Sequence, residues 1–100
     1  MKLGILANTN RHLSHIVGIT KAASNKGHEV SIFAMDEGTD IVGSDDFRKL
    51  CTCDNVMISI CRHSAESRGV DTSALSKEIV CGSQFNNAVM NNEADKVIIL

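Results

Sequence analysis

Cys61, Arg62, His63 and Ser64 follow directly on the apolar run Val56-Met57-Ile58-Ser59-Ile60. The run reads as a buried strand and the polar stretch as a turn into a helix. That order places a thiol at the carboxyl end of a strand and beside a helix N-terminus. In an open α/β sheet this edge is where ligands bind. A helix dipole and nearby cations both favour the thiolate, the nucleophilic form of cysteine. Arg62 and His63 are therefore candidates to stabilise it. The competing reading is packing alone, because free cysteine often serves as a small buried hydrophobe.

The other candidates are weaker. Cys81 ends the short apolar stretch Ile79-Val80-Cys81 and precedes Gly82-Ser83. It reads either as a core residue or as a second thiol on the same edge, and Ser83 opens a helix whose N-terminus could face an anion. Cys51-Thr52-Cys53 lacks the repeated Cys-x-x-Cys spacing of zinc sites, and Cys51 has a packing role beside Phe47. His12 and His15 fit a solvated helix face better than a metal site. No P-loop and no G-x-G-x-x-G occurs, so neither metal nor cofactor is expected.

The elements that must position these residues can be read in order. Lys2 to Ala7 is a first strand. Asn8-Thr9-Asn10 is a turn suited to capping a helix over His12 to Lys26, with Leu13, Ile16, Val17 and Ala23 on its buried stripe. Gly27 suits the left-handed position past that helix. His28 to Met35 is a second strand, and Asp36-Glu37-Gly38 a turn. Ser44 is expected to cap a short helix with Phe47, Leu50 and Cys51 inward. Val56 to Ile60 is the third strand, followed by a helical turn over His63 to Arg68 closed by Gly69. A short helix is expected over Thr72 to Lys77. Ile79 to Cys81 is a fourth strand. Ser83 caps a helix with Phe85, Ala88 and Val89 inward, and Lys96 to Leu100 is the fifth strand.

Strands alternate with helices, and several strands are continuous apolar runs. This is the pattern of a parallel sheet buried on both faces. The expected fold is α/β: a three-layer α/β/α domain spanning residues 1–100 around a mostly parallel five-stranded sheet. Parallel topology brings the turns at Asn8 and Asn10, at Glu37, at Cys61 to His63 and at Cys81 to Ser83 to one edge. The apolar final strand invites a second copy, so a homo-oligomer is expected.

Composition narrows the function. The chain has 100 residues, 43% of them hydrophobic, with a formal net charge of -2 and only 3% aromatics. There is no basic cluster and no stacking platform, which argues against nucleic acid as a partner. No stretch is long enough to span a bilayer and no signal peptide is seen, so a cytoplasmic location with reduced cysteines is expected.

Four stretches, taken in order, carry a resemblance. They are Gly27-His28-Glu29-Val30-Ser31-Ile32-Phe33, Glu37-Gly38, Ile60-Cys61 with Ser64-Ala65 and Arg68-Gly69-Val70, and Ala94-Asp95-Lys96-Val97-Ile98. Together they resemble the DsrE/DsrF-like family of small sulfur-relay proteins over nearly the whole chain. The resemblance implies a DsrE-like sheet between helices and assembly into oligomers. It also implies that Cys61 accepts sulfur as a persulfide from a donor protein and passes it to an acceptor protein, as a carrier rather than a turnover enzyme. Asn8, Asn10, Glu37, Arg62, His63, Cys81 and Ser83 are the candidate ligand-binding residues around it. The first loop, Asn8-Thr9-Asn10-Arg11, departs from the family's small-residue turn, and Cys51, Cys53 and Cys81 lie outside its pattern. Two alternatives stand beside this reading. One is a non-catalytic oligomeric or regulatory subunit. The other is a thiol-redox domain using Cys61 with Cys81.

Overall fold

A computed structural model describes the backbone of residues 1–100 and every side chain except that of Ala74. Five strands form one sheet in the order β4-β3-β2-β1-β5. They are β1 (Lys2–Ala7), β2 (Glu29–Ala34), β3 (Val56–Cys61), β4 (Ile79–Gly82) and β5 (Lys96–Ile99). Every neighbouring pair is parallel. The helices are α1 (Leu13–Asn25), α2 (Asp45–Arg48), α3 (Arg62–Ser67) and α4 (Gln84–Glu93), with 3-10 turns at Asp36–Gly43, Lys49–Thr52 and Thr72–Ala74.

Successive strand residues face opposite sides of the sheet, and the two sides are unequal. Ile5 and Ala7, Val30 and Ile32, Ile58 and Ile60, and Ile79 belong to the larger core. Ile16 of α1, Ile41 and Val42 of the 36–43 turn, Phe47, Leu50 and Ala65 of α3 complete it. The alternate residues Leu6, Phe33, Cys61 and Val97 face α4, where Met90 closes a smaller core. α4 crosses close over β1: a Cβ on Gly4 would come 3.2 Å from the Met90 side chain. The sheet is thus buried on both faces at its centre, which is why its strands read as continuous apolar runs.

Several local expectations are corrected. Phe85 is 65% and Val89 38% exposed, and Ala88 is also exposed. The inward stripe of α4 is instead Asn86, Met90 and Ala94, because the helix meets the sheet near β1 with its C-terminal half. Ser44 and the Asn8–Asn10 turn make no cap: the N-cap residues of α2 and α1 are Ser44 and His12, neither with a side-chain capping bond. The stretch after Met35 is not a single turn but a 3-10 segment through Gly43. Its Gly38 sits against the end of β1, where a Cβ would fall 1.8 Å from the Ala7 carbonyl oxygen. The helix after Asp71 is one short 3-10 turn. Ser83 does cap α4: Phe85 N–H donates to Ser83 Oγ at 3.2 Å, and Ser83 N–H donates to Asn86 Oδ1 at 3.0 Å. Gly27 (φ 83°) and Gly69 (φ 73°) take the left-handed conformation expected past α1 and α3.

Candidate functional site

Cys61 is both the last residue of β3 and the N-cap of α3. Its position follows from the change of period at that point. The apolar strand run ends, and Ala65 turns into the larger core while Cys61 itself faces Phe33 and Met90 on the other side. β3 therefore continues into a helix on one face of the sheet. The neighbouring β4 continues into α4 on the opposite face. Adjacent strands whose helices leave to opposite sides open a crevice between them, the usual ligand position in an open α/β sheet.

That crevice is an open cleft of about 860 Å³. Met35 and Asp36 from the end of β2 form one wall, Cys61 to Ser64 and Glu66 a second, and Gly82 to Phe85 a third. Cys61 is 5% exposed at its floor. Asp36 has φ 48°, a left-handed conformation uncommon outside glycine.

The thiol's acidity is set by opposing effects. Burial pushes it up. This is outweighed by the Ser64 hydroxyl and N–H, the Gln84 carboxamide and the His63 N–H, which leave Cys61 below the ordinary thiol value. The N–H groups of His63 and Ser64 occupy the second and third positions of α3, those that an N-cap side chain faces. The neutral sulfur makes no fully formed capping bond to them, so they act on the thiolate as pre-aimed dipoles. Arg62 and His63 line the cleft, but the groups that lower the thiol's pKa are these donors rather than the Arg62 and His63 side chains. Gln84 also donates to Met35 Sδ at 3.7 Å, bridging two walls of the cleft.

Ser64 and Gln84 were absent from the candidates read in the sequence. Ser64 was visible as the third residue after a strand-ending cysteine, the helix position that faces a cap. Gln84 had no local signal, because it reaches the thiol from a different strand's helix. Ser83 lines the cleft, though its hydroxyl is engaged in capping. Asn8, Asn10 and Glu37 stand at the same sheet edge but outside the cleft lining. Cys81 pairs in register with Ile60 and packs into the larger core, on the face opposite Cys61. This placement speaks against the alternative of a thiol-redox domain using Cys61 with Cys81, because strand pleating points the two sulfurs to opposite sides of the sheet. All four cysteines are free. Burial pushes the Cys51 thiol up, with the Glu78 carboxylate adding to it.

Outside the cleft lining a polar cluster joins three loops. Arg68, at the C-cap of α3, donates from Nε to Asp40 Oδ1 at 3.1 Å and from Nη2 to Asp40 Oδ2 at 2.8 Å. Asn10 Nδ2 donates to the same Oδ2 at 3.0 Å. The Arg68 fork, followed by Asn10, holds the Asp40 carboxyl below its usual range. His12 and His15 meet edge to face with ring centroids 5.7 Å apart. Among the described residues no group of three or more His, Cys, Asp or Glu is placed to hold a metal, and no helix is long and apolar enough to cross a membrane.

Comparison with known proteins bears on the fold. No family model matches the chain, and no curated protein matches it. Among solved structures, the crystal structure of the ychN protein from E. coli superposes with a TM-score of 0.72 at 17% sequence identity. The match covers 99% of this chain and 97% of that one. The chain shares the α/β fold of that protein. At this identity the likeness speaks to architecture, the five-stranded parallel sheet between helices, and to nothing finer.

Proposed function

We propose that the protein is a sulfur carrier that holds sulfur as a persulfide on Cys61. The observation that carries the reading is the thiol itself: a cysteine on the floor of an open cleft, with Ser64, Gln84 and the His63 N–H favouring its thiolate. Buried cysteines kept only for packing have their pKa raised by apolar surroundings. The resemblance of the sequence to the DsrE/DsrF-like family points the same way.

The chemistry is two matched displacements. The Cys61 thiolate attacks the outer sulfur of a donor protein's persulfide. The donor's S–S bond breaks, a new S–S bond forms on Cys61, and the donor cysteine leaves as a thiolate that takes up a proton. In the second step an acceptor thiolate attacks the outer sulfur, and Cys61 leaves as thiolate. No electrons are gained or lost overall. The donors that favour the resting thiolate also favour it as leaving group, so one set of dipoles serves both steps.

Self-association is part of this reading. α4 covers β1 and β2, leaving Met57 at 69% and Val80 at 49% exposed on the same face, beside Phe85 and Val89. They border a groove that also reaches Ser59 and Met90. Large apolar side chains grouped in this way mark contact surfaces. A second copy of this chain is the proposed occupant, with donor and acceptor proteins approaching the adjoining cleft, which shares Phe85 with the groove.

The test is intact-mass measurement after incubation with a cysteine desulfurase and cysteine. The parent protein should gain the mass of one or more sulfur atoms, reversibly with dithiothreitol. Cys61→Ser should gain none. Equal uptake by Cys61→Ser and the parent would end the proposal.

A further inference from the structure

We propose that the Arg68–Asp40 pair, braced by Asn10, is a positioning clamp for the Cys61 thiol. The inference rests on the reading of Cys61 as a working thiol; it makes Asn10 a brace rather than the ligand-binding candidate of the sequence reading, and nothing in the comparison assigns Arg68 or Asp40 a role.

The geometry begins with the size of α3. It has six residues, far too few to be stable without tertiary anchors. Its first turn holds the Ser64 hydroxyl and the two N–H groups that face the sulfur. Its other end is Arg68, whose N–H donates to the Ser64 carbonyl at 3.1 Å. Ser64 is thus tied by its side to Cys61 and by its carbonyl to the residue that carries the clamp. The angle of this one and a half turns sets where the Ser64 donors point.

The anchor at the far end is firm. Asp40 lies in the 36–43 turn, where Ile41 and Val42 are buried, Gly38 abuts the β1 carbonyl, and Thr39 Oγ1 donates to the Asp36 carbonyl at 2.8 Å. The same turn begins with Asp36, a wall of the cleft. Arg68 is therefore fastened to a segment already immobilised on β1 and β2. The fork is bidentate, which fixes orientation as well as distance, and Asn10 holds the carboxylate from the third side. The side chains of Arg68 and Asp40 are 37% and 32% exposed. Pairs this exposed add little to global stability, so the effect on the thiol can be separated from unfolding.

The experiment follows the rate of Cys61 alkylation by iodoacetamide against pH, in the full chain with the other cysteines counted by peptide mapping. The variant Asp40→Asn/Arg68→Gln removes both charges together, so the net charge near the thiol is unchanged. Arg68→Lys keeps the charge and loses the fork. Both should move the thiol's midpoint upward and slow labelling at pH 7 at least about twofold, while the melting temperature stays close to the parent's. In a Ser64→Ala background the same double variant should slow labelling less than it does in the parent, because the clamp acts through that residue. A pH–rate profile that coincides with the parent's in both variants overturns the proposal, as does a full additive loss in the Ser64→Ala background. The readout is thiol acidity, so a protein that takes up no sulfur refutes the carrier function without touching the clamp, and the reverse also holds.

Discussion

A thiolate can be favoured by a neighbouring cation or by dipoles aimed at the sulfur, and Cys61 uses the second. The difference has consequences at neutral pH. Removing Arg62 or His63 should alter charge steering at the cleft mouth more than the acidity of the thiol. Removing a donor should raise the pKa. Ser64→Ala is expected to raise the Cys61 midpoint, because it removes a hydrogen bond to the charged form, read from pH-dependent alkylation; an unmoved midpoint would remove Ser64 from the site. In the parent, that midpoint should lie below the model thiol's value of about 8.5. The opposite holds for Cys51, whose burial disfavours the thiolate. At pH 7, iodoacetamide should therefore label Cys61 before Cys51, and the reverse order would contradict the electrostatics. Linkage gives the matching signs for stability. A thiol depressed in the folded state adds stability above its unfolded value, and this is lost as pH falls through the folded value; the raised Cys51 loses its contribution as pH climbs past about 8.5. Asp40, depressed by Arg68, makes its contribution above about pH 4, and it disappears on further acidification. Cys61 itself was visible in the sequence from its place at a strand end. Gln84 was not, since two residues from separate strands meet only after the sheet forms.

At the scale of elements, the site depends on three loops held in fixed relation. Gly38 allows the 36–43 turn to lie against β1, with no room for a Cβ beside the Ala7 carbonyl. Gly38→Ala should cost about 2–4 kcal/mol, as overpacking against backbone does, measured by urea denaturation; a neutral result would mean that the turn does not bear on β1. Ser83→Ala should cost about 1 kcal/mol through loss of the α4 cap and should loosen the Gln84 wall. On α1, the Thr20 hydroxyl is fully buried without a hydrogen-bond partner among the described residues. Thr20→Val replaces it with a methyl group of similar shape, and denaturation should show a gain of up to about 1 kcal/mol. The strands and α1 were legible from apolar spacing. The facing of α4 was not. Phe85, Ala88 and Val89 form one apolar helical stripe, and Asn86, Met90 and Ala94 form another. Amphipathicity alone does not say which of two weak stripes meets the sheet, and the crossing point near Gly4 selects the second.

For the whole molecule, the unequal covering of the sheet is the decisive feature. One face carries α1, α2, α3 and the 3-10 turns; the other carries α4 alone. The bare part of that second face holds Met57 and Val80, with Phe85 and Val89 on the helix beside it. If a second copy covers it, the protein should exceed monomer mass by size exclusion with light scattering at micromolar concentration. Phe85→Asp should shift it toward monomer. A monomeric parent would remove the self-association from the proposed function. The sequence pointed toward an oligomer from the apolar strand β5, where Ile99 is 64% exposed. The structure adds a broader apolar area at the opposite end of the sheet, on β3 and β4.

The sequence by itself determined the class of the fold and the edge of the sheet at which Cys61 lies. Apolar runs of strand length alternating with helical spacing admit few arrangements other than a parallel sheet between helices, and a cysteine closing one of those runs must lie at its carboxyl edge. Both are local properties, readable from neighbours along the chain. Strand order, and the direction in which each helix leaves the sheet, are set by packing between segments far apart in sequence. Only the tertiary structure therefore decided that the cleft opens between β3 and β4, that Gln84 faces Cys61, and that Cys81, which also ends a strand region in the sequence, turns its sulfur into the other core.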